Sequence, residues 1–468
     1  MNGHHHEGRA RPIIIVTGAN AGVGFAICHR LLVQLVHRIP PDSLPQRAVS
    51  RSIPISPSPL DKSSETALPE FAECESLTLI LACRNTSKAE EARTQLLGYL
   101  DKEVERIKWK GKSVGGGDKD VKHAETFREN VRIIVHRLDL ASIENIFKFA
   151  RDIDSKYPYI SHLVCNAGVA SFIGYDWPLA IKQLLTDFIG AVVSPLFKIQ
   201  RIGEMSEDGL GWIWQCNVFG HYVLFRLLEP LLERSYNDTR SPSRILWMSS
   251  LEALPECYDP SDWQLLRNSK SYEASKHQID LLVGWFEQQQ QIKQREERKA
   301  LRVRHFLCHP GVVRTNIAVK SLNNNILDLC MQLAFFTAHF FGSHAHTITP
   351  YKSAISAVHL MLVALPFVTV AISSLAPTSS LDSHSSSDSH SPSATDPTET
   401  TPPISNSESR AKVSVPLKFG SQCNYWFNEY VNANEVPEWD EALAAGLVRN
   451  CEDLLQKFKE REEKRLSS

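Results

Sequence analysis

A tyrosine and a lysine stand four residues apart in the motif YEASK, from Tyr272 to Lys276. Apolar residues recur at helical spacing after the motif, so the pattern predicts a helix that carries both side chains on one face. A phenol has a pKa near ~10, and a neighbouring ammonium lowers that pKa because it stabilises the phenolate. Such a tyrosine can protonate a carbonyl oxygen as hydride reaches the carbon, or accept the proton in the reverse reaction. The same pair also fits a solvated helix face, so its meaning depends on the motifs that accompany it.

A glycine-rich turn near the N-terminus offers a binding site for phosphate groups. The motif TGANAGVG, from Thr17 to Gly24, follows the β-branched run IIIVT and precedes a segment with helical periodicity. In that context Gly18 allows a tight turn, Gly22 lets the backbone approach a pyrophosphate, and Gly24 lets helix and strand pack closely. The alternative interpretation, a flexible loop with three glycines, fits the flanking strand and helix less well.

The end of the second predicted strand bears on the choice of dinucleotide. The buried-strand pattern LTLILA runs from Leu77 to Ala82 and continues into the motif CRN, which contains Arg84. An acidic residue at this point would bind the 2′-hydroxyl of NAD, whereas an arginine suits a 2′-phosphate. No Asp or Glu follows before Glu90. We therefore expect NADPH/NADP+ as the cofactor, the alternative being that Arg84 only caps a strand in water.

Further apolar runs supply the elements that must position these motifs. They predict strands over Ile13 to Thr17, Val131 to Leu138, Ser161 to Cys165, Arg244 to Met248 and Leu301 to Cys308. Helical patterns alternate with the strands, and one of them, Trp212 to Leu228, carries Asn217 within an apolar run. This alternation predicts an α/β fold: a Rossmann-type doubly wound parallel sheet with helices on both faces.

Composition limits the functional classes. The chain has 468 residues, 43% hydrophobic and 22% charged, with a formal net charge of −2. This length suits one α/β domain with additions, and the near-neutral charge argues against a nucleic-acid binder. Ten cysteines without paired spacing indicate reduced core thiols. No secretory signal peptide is visible, and we interpret the three N-terminal histidines as part of a disordered arm and predict no metal site.

The chain divides into four predicted parts. These are a flexible arm (1–11), a Rossmann catalytic domain (12–372) with disordered insertions at about 39–75 and 111–126, a disordered Ser/Thr/Pro-rich tract (373–412), and a C-terminal segment (413–468) that packs on the catalytic domain and ends in a charged helix. The simplest interpretation of that helix is a solvated face.

Two apolar stretches follow the last predicted strand. Leu329 to Gly342 is rich in aromatic residues, and either covers an apolar substrate or forms an ordinary core helix. Ser353 to Ala376 has no charged residue over a length that could span a bilayer, although Pro366 interrupts it. We expect a sheet-packing helix with a membrane-touching extension rather than a true span.

Taken together, the motifs resemble the short-chain dehydrogenases/reductases, in the order that this family shows. The matching stretches are TGANAGVG, CRN, LDLAS (138–142), CNAG (165–168), Asn217 in its helix, the serine pair Ser249-Ser250, YEASK, and PGVVRT (310–315). They span most of residues 13 to 315. One departure is Cys165, which replaces an Asn of the family pattern and should still pack.

The resemblance implies a role for each matching residue. Tyr272 is the general acid, Lys276 lowers its pKa and holds the nicotinamide ribose, and Asn217 holds a water that links Lys276 to solvent. One of the paired serines binds the carbonyl oxygen, and the family pattern favours Ser250 over Ser249. The expected cofactor-binding residues are Thr17, Gly18, Asn20, Gly22, Val23, Gly24, Arg84, Asn85, Asp139, Leu140, Asn166, Ala167, Gly168, Tyr272, Lys276, Pro310, Gly311, Val313 and Thr315.

A narrower resemblance rests on the stretch between the serines and YEASK and on the tail. SSLEA, DWQLL and SYEASK, with KFGS at Lys418 to Ser421 and VPEWD, resemble the fungal 3-keto-steroid reductases of ergosterol biosynthesis. That resemblance implies NADPH-dependent reduction of a 3-keto sterol to a 3β-hydroxysterol during C4 demethylation. It also implies other C4-demethylation enzymes as partners, and a peripheral or shallow position on endoplasmic reticulum or lipid-droplet membranes with the catalytic domain facing the cytosol.

Two other functions fit the same motifs. The chain could reduce another bulky apolar ketone or aldehyde, such as a retinal-like compound or a polyketide. It could also be a non-catalytic dinucleotide-binding scaffold, although the intact Ser, Tyr, Lys and Asn argue against that.

Overall fold

An eight-stranded sheet forms the centre of the structure, a computed structural model that describes residues 11–44, 71–114, 117–298, 300–313, 325–365 and 415–467. The strands of the described residues are β1 (Ile13–Thr17), β2 (Leu77–Cys83), β3 (Val131–Arg137), β4 (His162–Cys165), β5 (Phe172–Tyr175), β6 (Lys198–Gln200), β7 (Ser243–Met248), β8 (Val303–His309), β9 (Val312–Val313), β10 (His346–Ile348), β11 (Leu417–Cys423) and β12 (Glu429–Glu435). In the large sheet they lie side by side as β3-β2-β1-β4-β7-β8-β11-β12. Every neighbouring pair is parallel except β11 with β12.

Helices cover both faces of this sheet. They are α1 (Gly22–Leu35), α2 (Thr86–Val114), α3 (Asp118–Asn130), α4 (Ile143–Lys156), α5 (Trp177–Thr186), α6 (Phe188–Val193), α7 (Trp212–Trp214), α8 (Gly220–Thr239), α9 (Ser271–Glu297), α10 (Asn325–Phe340), α11 (Pro350–Ser353), α12 (Ile355–Leu362) and α13 (Glu441–Ser467). One core cluster joins the sheet to α4, α8, α9 and α13, and a second joins it to α1, α2, α3 and α12. Strands β1 and β2 are buried along their whole length, as apolar strands covered on both faces must be. The predicted doubly wound parallel sheet is confirmed.

The strand order reverses between β1 and β4, and this reversal opens a crevice at the carboxyl ends of the strands. From β1 the chain adds β2 and β3 on one side, and β4, β7 and β8 on the other. Ligands of open α/β sheets bind in such a crevice. The residues that directly follow these strands, Gly18, Arg84, Asn166, Ser249 and Pro310, are therefore brought to one edge.

The predicted insertion at 111–126 is wrong. Helix α2 continues to Val114, and α3 occupies most of the rest. Ala124 and Phe127 are fully buried against the core, and His123 is nearly so. These side chains recur at i, i+3 and i+4, which gives the segment an apolar face that its overall polarity concealed.

The predicted insertion at 39–75 lies mostly outside the described residues, and its described ends are ordered. Pro41–Ser43 forms a short 3₁₀ turn, in which buried Asp42 pairs with Arg30 of α1 at 2.5 Å. Phe71 is buried in the same core. Both ends of the predicted insertion are thus part of the packed domain.

The C-terminal segment completes the sheet rather than lying outside it. β11 adds to β8 in parallel, and β12 adds to β11 as an antiparallel edge. Helix α13 buries Leu447, Cys451 and Leu455 in the core that contains α9, so it is more than a solvated face. Seven of the ten cysteines of the chain are buried, which fits thiols in a core.

The apolar run from Ser353 to Ala376 falls partly within the described residues. Helix α12 is buried at each of its positions and packs on the sheet. Residues 366–376, like the predicted tract 373–412, lie outside the described part of the chain. Within the described ranges, no helix is both long and apolar enough to cross a membrane.

Candidate active site

The glycine-rich turn has the backbone that a phosphate site requires. Gly18 and Gly22 have φ values of +66° and +56°, a region that side chains with a Cβ rarely adopt. A Cβ added to Gly24 would lie 2.4 Å from the Asn166 amide nitrogen and 2.5 Å from the Gly18 carbonyl oxygen. The turn therefore admits no larger residue at Gly24, and it leaves the start of α1 open toward the crevice.

Thr17 ties the two strands of the switch point together. Its hydroxyl oxygen accepts the backbone N–H groups of Asn166 and Ala167, both at 2.9 Å, and lies 3.0 Å from the His221 ring. The Asn166 side-chain amide donates to the Thr17 carbonyl oxygen at 2.9 Å. Asn166, one of the expected cofactor-binding residues, thus also holds the glycine-rich turn against the end of β4.

One large pocket occupies the crevice, with a volume of about 820 Å³. The predicted cofactor residues that line it are Thr17, Gly18, Asn20, Gly22, Val23, Arg84, Asn85, Asp139, Leu140, Asn166, Ala167, Gly168, Tyr272, Lys276, Pro310, Gly311 and Val313. Gly24 packs behind the turn, and Thr315 lies outside the described residues. A dinucleotide fits this lining, because glycine backbone stands at one end and the Tyr–Lys pair at the other.

Two cations stand at the end of β2, where one was predicted. Arg84 and Lys88 are both exposed and both line the pocket. Asn85 begins α2 by accepting the Lys88 backbone N–H at 2.9 Å, which sets Lys88 in the first turn of the helix. Lys88 was not among the predicted site residues. Its position three residues after an N-capping Asn could have indicated a second cation near the end of β2.

Tyr272 and Lys276 lie on one face of α9, as predicted, and point into the pocket. The Ser250 side chain lines the same pocket beside Tyr272 and favours the ionised form of its phenol. The Lys276 ammonium donates to the Met248 carbonyl oxygen at 2.9 Å and lies 5.7 Å from the centroid of the Tyr272 ring. The serine thus lies just after strand β7, and the tyrosine and the lysine lie on helix α9.

The paired serines have different partners. The Ser249 hydroxyl donates to Asp280 at 2.5 Å and is buried beneath α9. Ser250 faces the pocket and Tyr272. Only Ser250 therefore has a hydroxyl next to the phenol.

The pKa of Tyr272 differs from the expectation. Burial, followed by the charge of Glu252, raises the pKa of the phenol, while the Ser250 side chain lowers it. In this structure, which holds no dinucleotide, the Lys276 ammonium donates to Met248 and does not offset the effect of burial on this pKa. Tyr272 is consequently a neutral phenol at pH 7, the form that donates a proton.

Lys276 itself has a perturbed pKa. Burial lowers the pKa of its ammonium to about 8, with the Asp280 carboxylate acting in the opposite direction and Lys418 adding to the decrease. A lysine with this pKa can change its charge close to physiological pH.

Asn217 lies in a π-helical turn, Gln215–Phe219, between α7 and α8. Its side-chain oxygen accepts the Val169 backbone N–H at 2.8 Å, and its amide donates to the Val169 carbonyl and the Ser275 hydroxyl, each at 3.0 Å. Such π turns are frequent at functional sites. In this structure Asn217 fixes the loop after β4 to the start of α9, and it does not line the pocket; its predicted role of holding a water remains a proposal.

A small lid covers the far end of the pocket, in a region for which no site residue was predicted. β5 and β6 pair antiparallel, with α5 and α6 between them. Phe172 packs edge-on against the Tyr272 ring, with centroids 5.8 Å apart, and Trp177 and Phe197 add to the lining. The close spacing of Phe172, Trp177 and Phe197 in the sequence could have indicated an apolar wall of the pocket.

Beside the lid, helix α10 contacts α6 and forms part of the pocket rim. Met331, Ala334 and Phe335 line the pocket, while Leu333 and Phe336 are exposed. Of the two interpretations of Leu329 to Gly342, the structure favours the one that lines a pocket over the core helix.

One ion pair interrupts the apolar walls beside Tyr272. The Lys198 ammonium binds the Glu252 carboxylate at 2.5 and 2.6 Å, and it lies 4.6 Å from the centroid of the Phe172 ring. The Glu252 carboxylate disfavours the phenolate and so adds to burial, the larger cause of the raised Tyr272 pKa.

Several fungal enzymes are similar to the chain. A 3-keto-steroid reductase from Aspergillus fumigatus is 29% identical over 380 residues, which cover 75% of this chain and 73% of that protein. A 3-keto-steroid reductase from Kluyveromyces lactis is 32% identical over 229 residues, which cover 49% of this chain and 62% of that protein. The enzyme of the same name from Schizosaccharomyces pombe is 27% identical over 344 residues, 74% of this chain and 80% of that protein.

Protein-family models and solved structures give no closer match than these fungal enzymes do. No protein-family model matches the chain. A solved Pseudomonas aeruginosa RhlG/NADP active-site complex is similar with a TM-score of 0.43 and 14% identity, over 77% of this chain and 93% of that one. Such a similarity is too low to bear on function.

The fold, the site and the relatives agree with one another. A doubly wound sheet carries a glycine-rich phosphate turn at its switch point, and a Ser, a Tyr and a Lys meet at one end of the same pocket. A nicotinamide dinucleotide is the cofactor that this arrangement fits. The chain has a Rossmann-type fold with a candidate dinucleotide site at its switch point, and it is similar to the fungal 3-keto-steroid reductases.

Proposed function

We propose that this protein reduces a 3-keto sterol to the 3β-hydroxysterol with NADPH, in the C4 demethylation of ergosterol biosynthesis. The observation that carries the proposal is that Ser250, Tyr272 and Lys276 line one largely apolar pocket. The chain's relatives are named 3-keto-steroid reductases. A flat, rigid and apolar ketone suits aromatic walls with one polar end.

The proposed choice of NADPH rests on the two cations at the end of β2. Arg84 and Lys88 stand at the pocket edge where an adenosine 2′-phosphate would lie, and exposed cations at that position bind a dianion well. Asp139 lines the pocket beyond β3, with its carboxylate accepting the Ala141 backbone N–H at 3.1 Å, and would face the adenine.

The protein's own residues supply the proton that the reduction requires. When bound, the dinucleotide supplies hydride to the carbonyl carbon. The Tyr272 hydroxyl donates its proton to the carbonyl oxygen, so that the C=O bond becomes CH–OH. The Ser250 hydroxyl stabilises the negative charge that develops on this oxygen. The Lys276 ammonium, close to the ring, stabilises the phenolate left behind and helps to restore its proton.

We also propose that the pocket opens toward a lipid surface. The apolar rim consists of exposed side chains of α5 and α10, the helices that flank the pocket: Trp177, Ile181, Leu185, Leu329, Leu333, Phe336 and Phe340. Leu185 is 82% exposed and Phe340 is 67% exposed. Large apolar side chains gathered around one pocket indicate a docking surface. A peripheral position on endoplasmic reticulum or lipid-droplet membranes, near other C4-demethylation enzymes, would deliver a sterol to the site.

A substrate screen tests the proposed reaction. Purified protein and NADPH are assayed with a 3-keto sterol, a retinal-like aldehyde and a polyketide ketone, and products are identified by chromatography. We expect the highest kcat/KM for the sterol and a 3β-alcohol as product. Preference for either of the other compounds would replace the sterol assignment, and NADPH binding without turnover of any ketone would favour a scaffold.

A further inference from the structure

Lys418 reaches the catalytic end of the sheet from the C-terminal segment. It lies on β11, opposite Leu307 of β8, and is 8% exposed. Its ammonium donates to the Ser250 carbonyl oxygen at 3.2 Å and forms an ion pair with the Asp280 carboxylate. A residue far along the chain thus contacts the backbone of the serine proposed to bind substrate.

Asp280 is the second member of this group. It is fully buried, and it follows Lys276 by one helical turn, so that Tyr272, Lys276 and Asp280 share one face of α9. A buried carboxylate is costly unless cations and hydrogen-bond donors surround it. The donors here are the Ser249 hydroxyl at 2.5 Å and the Lys418 ammonium.

Together these contacts hold both serines of the loop after β7. Asp280 holds the Ser249 side chain, and Lys418 holds the Ser250 carbonyl. The Ser250 hydroxyl remains available to Tyr272. If Lys418 were lost, the Ser250 backbone would lose a charged donor and Asp280 would lose its cation.

We propose that Lys418 is a positioning residue: through the Ser250 carbonyl and Asp280, the C-terminal strand fixes the serine and the lysine of the proton-transfer site. This inference rests on the proposed function as a ketone reductase. It assigns a role in the active site to the segment after residue 414, which provides β11.

The charges around Lys276 predict in which direction its pKa changes when Lys418 or Asp280 is replaced. The titratable groups facing its ammonium are Asp280 and Tyr272 on α9, Lys418 on β11, Cys308 on β8 and His221 on α8. Asp280 raises the pKa of Lys276, and Lys418 lowers it. Removing Lys418 should therefore raise this pKa above about 8, and removing Asp280 should lower it.

The test compares Lys418→Met, Lys418→Arg and Asp280→Asn with wild type. For Lys418→Met we expect kcat to fall by about 10- to 100-fold, because a misplaced group at the reacting atoms has effects of that order. KM for NADPH should change little, since Lys418 does not line the pocket. Arginine at 418 should restore much of kcat because it keeps the cation and the donor. Lys457→Met, at an exposed position of α13, is the matched control.

The pH dependence separates positioning from simple loss of stability. The limb of the kcat profile that belongs to Lys276 should move to higher pH in Lys418→Met and to lower pH in Asp280→Asn. A kcat and pH profile equal to those of wild type in Lys418→Met would overturn the proposal, as would an equal loss in the Lys457→Met control.

A second measurement does not depend on turnover. The affinity for NADP+ is followed against pH by tryptophan fluorescence, because Lys276 is expected to contact the nicotinamide ribose. Opposite shifts of the midpoint in Lys418→Met and Asp280→Asn would support the positioning role even if no tested ketone were reduced. If wild type reduced no ketone, the proposed function would fail, whereas an unmoved midpoint in both variants would refute the role of Lys418.

Discussion

Replacing the two adjacent serines one at a time is the most direct test of the site geometry. The Ser250 side chain lines the pocket beside Tyr272, whereas the Ser249 hydroxyl donates to Asp280 beneath α9. Alanine removes a single oxygen atom in each case. The two variants should therefore fail in different ways: Ser250→Ala in the reaction, and Ser249→Ala in stability.

The expected magnitudes follow from what each oxygen contacts. Loss of a donor to a developing oxyanion costs about 10²–10³ in kcat, and we expect this for Ser250→Ala. Ser249→Ala leaves a buried carboxylate with one donor fewer, which lowers the free energy of unfolding by about 1–3 kcal/mol. Asp280 keeps its ion pair with Lys418, so the lower half of that range is expected. In a domain of this size such a loss lowers Tm by roughly 2–4 °C.

Steady-state kinetics with NADPH and a 3-keto sterol, together with thermal unfolding, distinguish the variants. Ser250→Ala should keep the wild-type Tm and the wild-type KM for NADPH. Ser249→Ala should keep kcat within about tenfold of wild type, since its hydroxyl does not reach the reacting atoms. The reverse pattern, a large loss of kcat in Ser249→Ala alone, would refute the assignment of Ser250.

Three further predictions concern the proton donor, the cofactor and the lipid surface. Tyr272→Phe should abolish turnover and leave NADPH binding, measured by fluorescence, nearly unchanged, because only the hydroxyl is lost; ordinary activity in this variant would exclude the phenol as the acid. Arg84→Asp should shift the ratio of kcat/KM from NADPH toward NADH, with a smaller shift for Lys88→Met, and an unmoved ratio would mean that the phosphate binds elsewhere. Leu185→Glu should reduce flotation of the protein with phospholipid vesicles, whereas Trp109→Glu, an exposed aromatic position of α2 outside the pocket lining, should not; equal flotation of all three proteins would show that the apolar rim does not bind lipid.

Much of the fold could be predicted because its signals are local. Each parallel strand is a short β-branched or apolar run, and its identity does not depend on distant residues. The segment around α3 was predicted wrongly because its few apolar residues are spread among charged ones, so average polarity outweighed their spacing. The lid between β5 and β6 was missed because its strands have only four and three residues.

Local spacing also explains why the sequence was enough to pair Tyr272 with Lys276. Four residues on a helix place two side chains on one face, whatever surrounds them. The glycine-rich turn is equally local, since Gly18 and Gly22 need positive φ for the turn itself. The sequence by itself thus determined the kind of fold, the cofactor turn and the acid–lysine pair.

Tertiary structure decided what depends on contacts between distant segments. The two serines that follow β7 have different partners, since the Ser249 hydroxyl donates to Asp280 and Ser250 lies beside Tyr272, and the motif alone left this choice open. The ion pair of Lys418 with Asp280 exists only because β11 adds beside β8. The upward shift of the Tyr272 pKa likewise arises from burial and from a carboxylate, that of Glu252, which its own helix does not supply. Charge and desolvation act through space, and only the packed structure places them.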